Sequence, residues 1–184
     1  MIEFSSTWFL DGFLHPLETP SHLILLIGIA VLLGQQGGVN LVRNFLLLSF
    51  SIIAGFVVNH YLSPNTNNEL ILLVLALLVS LLIVLRLEYK LAWVQWLVAV
   101  LAVISGLILG LDSSPIIIPG LGANTFYNWL FGAAVSIIAA VITIALISFM
   151  IRNILQGVIL RVIGSWIATS ALFVLTLLLT KTTL

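Results

Sequence analysis

The chain has no cysteine and very little charge. Without cysteine, disulfides, thiolate metal sites and thiol nucleophiles are all excluded. Only 7% of its 184 residues are charged. A soluble domain carries about 25%, so this is not an ordinary globular protein. Formal net charge is zero and Lys and Arg form no run, which makes nucleic acid and an anionic membrane surface poor partners. Residues 1–18 contain Glu3, Asp11 and Glu18 and no Lys or Arg, so the basic region that opens a cleavable signal peptide is missing. No sustained repeat, heptad or low-complexity tract is present. What the chain does have is apolar surface: 62% of residues are hydrophobic and mean hydropathy is +1.32. Lipid is the solvent this composition fits.

A helix needs roughly 20 apolar residues to cross a bilayer core. Six stretches qualify or nearly do: Pro20–Leu33, Phe45–Tyr61, Leu70–Leu87, Leu91–Leu111, Tyr127–Met150 and Gly157–Thr180. The first reaches only about 21 Å as a helix. It therefore starts earlier, runs on through Gly34–Gly38, or sits partly inside the bundle. The connections "GQQGGVNLVRN", "LSPNTNNE", "RLEYK", residues 112–126 and "IRNILQ" are short and rich in Gly, Pro and Asn, as turns require. No soluble domain fits between the spans. The expected fold is all-α: one polytopic membrane bundle over residues 1–184, with about six transmembrane helices.

Charge orients this bundle. With the N-terminus outside, Arg43, Arg86, Lys90, Arg152 and Arg161 fall on or near the inner side and only Lys181 falls outside. Lys and Arg in short loops favour the inner side, so both termini are expected outside. The same assignment puts Glu3, Asp11, Glu18, Glu69 and Asp112 outside, together with His15, His22 and His60; only Glu88 is inside. Such a face concentrates cations.

The stretch "GFLHPLETPSHLILLIG", residues 12 to 28, holds three ligand-type side chains within eight residues: His15, Glu18 and His22. Two imidazoles and a carboxylate suit a divalent metal such as nickel, cobalt or zinc. The plainer reading is a helix start, with Thr19 as N-cap and Pro20 at the first helical position. Spacings of three and four would place the three side chains on one helical face. Pro16 and Pro20 oppose a continuous helix, so convergence calls for a turn followed by a helix. Glu69 opens the third span, where the helix dipole favours a carboxylate, and lies across one short connection from His60. In "SGLILGLD", residues 105 to 112, Gly106 and Gly110 have the small-xxx-small spacing that lets membrane helices approach closely, and Asp112 caps or exits the helix. Ser113 and Ser114, which follow, have no base within reach, so an enzyme is not expected. Trp93, Trp96, Trp129 and Trp166 read mostly as interfacial or lipid-facing aromatics.

These motifs resemble the HupE/UreJ family of small polytopic membrane proteins. The family's first helix opens G-x-x-H-P-L-x-G-x-D-H and leads to a Gln-Gly-Gly turn. Gly12, His15, Pro16, Leu17 and His22 match the opening, and Gln36, Gly37 and Gly38 match the turn. Glu69 resembles a family glutamate, and "RVIGSWIA", residues 161 to 168, resembles the start of the last helix. Ser21 replaces the aspartate before the second histidine, and Ser105 and Leu109 replace the two histidines of H-G-x-x-H-G. The resemblance implies association with nickel-enzyme gene sets and with nickel or cobalt uptake.

Two functions are therefore expected to compete. One is a nickel or cobalt permease or metal-binding membrane protein with His15, Glu18, His22 and Glu69 at its outer mouth and Ni2+ or Co2+ as the ion. The other is a non-transporting structural subunit or assembly factor of a membrane complex. Partners are the lipid bilayer and either complex subunits or further copies of the chain.

Overall fold

The computed structural model describes residues 6–61, 68–87, 91–113 and 123–182. Among these there is no strand. The chain runs as α1 (Ser6–Glu18), α2 (Pro20–Gln36), α3 (Gly38–Tyr61), α4 (Asn68–Leu85), α5 (Ala92–Asp112), α6 (Ala123–Ile151), a 3₁₀ turn (Ile154–Gly157) and α7 (Val158–Thr182). Five helices are long and apolar enough to cross a membrane, and the count is six if the bent pair formed by α1 and α2 crosses as one span. The protein is a multi-pass, all-α integral membrane protein.

The short first stretch is resolved by its position. It continues to Gln36, and Leu25, Leu26, Ile29, Ala30 and Leu33 are fully buried. A helix that is apolar on all sides belongs inside protein, and α2 packs against every other helix of the bundle. The outer helices instead show large apolar side chains to lipid, such as Phe50 on α3, Phe131 on α6 and Phe173 on α7.

Residues 6–18 were not expected to be helical, and here the structure adds an element. Phe9, Gly12, Phe13 and Pro16 recur at helical spacing and form the face of α1 that is less exposed than its Leu10 and Leu14 side. That face lies on α6, with Phe9 and Phe131 ring centroids 6.0 Å apart. Gly12 and Gly132 bring the two backbones together, since a Cβ on either would strike the other helix's main chain. Pro16 is accommodated inside α1. The break comes at Thr19, where the chain bends by 73° into α2.

Gly106 and Gly110 face α3. A Cβ at Gly106 would stand 2.6 Å from the Leu48 carbonyl oxygen, and one at Gly110 would stand 3.0 Å from the Gly55 Cα. This seam joins α5 and α3 along much of their length, with Leu48 and Ile52 fully buried in it.

Candidate metal mouth and the opposite arginine end

Thr19 does occupy the N-cap position of α2, but its hydroxyl makes no capping bond. It turns back and donates to the His15 carbonyl at 2.9 Å, tying the end of α1 across the bend. Pro20 follows at the first helical position, where its missing N–H costs nothing. This bend aims His22 inward from the first turn of α2. The His22 side chain is fully buried, and its Nε2 lies 2.7 Å from Asp112 Oδ2. Asp112, the last residue of α5, keeps about a quarter of its side chain exposed.

An ionised carboxylate can only accept, so Nε2–H donates to Asp112. Nδ1 is then the second nitrogen of a fully buried ring, and it has no hydrogen-bond partner among the described residues. The His15 ring stands edge-on to His22, with centroids 5.4 Å apart. Trp129 of α6 lies against the other side of His15 at 5.5 Å, and its indole N–H donates to the Ser113 carbonyl at 3.0 Å. Trp129 is thus part of the histidine cluster, fixing α6 to the end of α5, and is not a lipid-facing aromatic.

Glu18 is exposed at the end of α1. It and Asp112 both stand within electrostatic reach of His15. Glu69 is half-buried in the first turn of α4 and forms no ion pair among the described residues. The His60 side chain lies outside the described residues. Among the described residues no three His, Asp or Glu side chains are gathered into a metal-holding group. The arrangement is a histidine–carboxylate pair with a second imidazole beside it. Asp112 was not among the candidate ligands; the signal for it was its place on the same outer face as His22.

Ser105, where the family pattern has histidine, is fully buried and its hydroxyl has no hydrogen-bond partner among the described residues. Leu109 is fully buried as well.

The other end of α2 is built from amides and arginines. The buried Asn44 amide donates to Gln36 Oε1 at 3.1 Å, and Arg152 donates to the Gln36 carbonyl at 3.2 Å. Arg43 donates to Asn44 Oδ1 at 3.2 Å, and Arg161 donates to the Val84 carbonyl at 3.1 Å. Fourteen residues of helix separate His22 from Gln36, or about 21 Å. Histidines and arginines therefore occupy opposite ends of the bundle.

A helical bundle with several apolar spans, a buried histidine–carboxylate pair at one end and arginines at the other defines a polytopic membrane protein with a polar cluster at each end. The family model described as HupE / UreJ protein matches residues 2–174, and the chain belongs to the HupE/UreJ family. That family is associated with nickel or cobalt transport and with urease or hydrogenase maturation. No curated protein and no solved structure matches the chain significantly.

Proposed function

We propose that the protein is a divalent transition-metal permease, taking nickel or cobalt, whose outer mouth is formed by His15, His22 and Asp112. The supporting observation is that Nδ1 of buried His22 has no hydrogen-bond partner among the described residues. A carboxylate that accepts one imidazole N–H fixes the ring and makes the other nitrogen a better metal donor. Asp112 has that relation to His22, and it supplies a carboxylate where Ser21 has replaced the family's aspartate. Glu18 adds negative charge beside His15, and Glu69, in the first turn of α4, is assigned as a further ligand to be recruited when an ion arrives. An incomplete site suits transport, since an ion held by a full cage leaves slowly.

Calorimetric titration of the purified protein with Ni2+ and Co2+ tests this. Micromolar binding should be lost in His15→Ala and His22→Ala and weakened in Asp112→Asn. Equal, weak binding by all four proteins would refute it. That result would favour the second reading, a non-transporting subunit or assembly factor, which is supported by Ser105 and Leu109 in place of two histidines. A stoichiometric partner retained on purification would favour it further.

A further inference from the structure

A cavity of about 350 Å³ opens between α2, α4, α5 and the turn after α6, at the arginine end. Its polar lining is Gln35, Gln36, Arg86, Arg152 and Asn153, and the remainder is leucine and valine. The described lining thus holds two guanidinium groups and no carboxylate. Glu88, the acidic residue nearest in sequence, lies outside the described residues.

Both arginines are fixed in place. Arg86 has left-handed backbone, φ 47°, and donates to the Gln156 carbonyl. It lies against Gly157, where a Cβ would stand 2.6 Å from its Cζ. Arg152 stacks 4.3 Å from the centroid of the Phe149 ring and donates to the Gln36 carbonyl. A Cβ at Gly37 would collide with its guanidinium. Gly37 and Gly157 have φ 64° and 78°, a region that glycine enters without strain. Each guanidinium has five N–H donors, and these bonds engage one apiece. Arginines that only closed helix ends would need no space between them, yet here they share a cavity in the size range of small-ligand pockets, about 300–1,000 Å³.

We propose that this cavity binds a phosphate group, held by Arg86 and Arg152 with Asn153 and the glutamines completing its hydrogen bonds. Guanidinium forks match phosphate oxygens in geometry and charge. The phosphate comes either from an anionic lipid headgroup, whose acyl portion would meet the leucines and valines, or from a soluble phosphate.

The test uses delipidated, full-length protein in detergent. Thermal stability is followed while sodium phosphate is added against sodium chloride at matched ionic strength, and in a second arm while short-chain phosphatidylglycerol is added. Saturable stabilisation in either arm is expected. Stabilisation by phosphatidylglycerol alone identifies a lipid headgroup, and stabilisation by phosphate too identifies a soluble group as sufficient. R86Q and R152Q should each raise the half-saturating concentration roughly tenfold or more. R161Q, at the same end but outside the cavity lining, should leave it unchanged. N153D sets a negative charge in the cavity at constant size and should also weaken binding; it carries the test if either arginine variant fails to purify. No saturable effect in either arm, or equal binding by R152Q, N153D and wild type, overturns the proposal.

Discussion

Adding one methyl group at Gly106 tests the α3–α5 seam most directly. In Gly106→Ala the new carbon would stand 2.6 Å from the Leu48 carbonyl oxygen and 2.9 Å from the Ser51 Cβ. One of these is backbone, so no rotamer change relieves it. The two helices must separate by several tenths of an ångström, and that motion loosens the fully buried Leu48 and Ile52. Overpacking of this kind costs about 1–3 kcal/mol. Against it stands the better helix propensity of alanine, at most about 1 kcal/mol. The net loss lies between about 0 and 3 kcal/mol, and the middle of that range is about 1–2 kcal/mol. For a chain of this length each kcal/mol moves Tm by roughly 2–4 °C, so a fall of roughly 2–8 °C is expected. Gly28→Ala is the matched comparison. Its Cβ would meet only side-chain carbons, of Val79 at 3.3 Å and Ile167 at 3.6 Å, and its Tm should stay near that of wild type. Thermal denaturation in one detergent, monitored by circular dichroism, reads both. A Gly106→Ala protein as stable as wild type would mean that the helices do not approach this closely.

Metal binding at the mouth should weaken as pH falls. Ligation needs neutral imidazole, so titrations repeated at successively lower pH should show falling affinity; a pH-independent affinity would remove the histidines from the site. Asp112→Leu leaves the buried His22 Nε2 unpaired and should destabilise the protein by about 1–3 kcal/mol, whereas Asp112→Asn keeps an acceptor and should cost less; comparison of the two melting curves decides. For topology, cysteines placed at exposed Glu18 and Val39, at opposite ends of α2, should react with a membrane-impermeant thiol reagent from opposite sides of the membrane. Labelling of both from one side would reject the topology.

The six spans were legible because lipid imposes a simple demand, about 20 apolar residues in a row, and five connections interrupt the pattern clearly. α1 was less legible. It is short, carries Asp11 and Pro16, and is helical because Phe9, Gly12 and Phe13 find α6, a partner more than a hundred residues away. The mouth divides in the same way. His15 and His22 stand out because histidine is rare in a chain so apolar. Their neighbours are set by packing: Asp112 is 90 positions from His22, and Trp129 reaches the cluster only through the α1–α6 contact. Thr19 shows the limit of local rules. Its position at the N-cap followed from sequence, but the bend gave its hydroxyl a nearer acceptor in His15. At the other end, the connection expected over "GQQGGVNLVRN" shrinks to Gly37, because α2 runs on to Gln36 and α3 begins at Gly38, and the use of the Gln36 carbonyl by Arg152 depended on where α6 ends.

The dependence of α1 on α6 bears on how the protein is made. A ribosome delivers His15 and His22 to the membrane first, but Asp112 and Trp129 arrive only after three further spans and part of a fourth. Until α5 is inserted His22 has no carboxylate, and until α6 is inserted the early helix has no surface to settle on. The histidine cluster is therefore among the later features to form during biosynthesis, although its histidines are among the first residues translated, and a nascent chain released before the end of α5 would leave the His22 imidazole without its carboxylate.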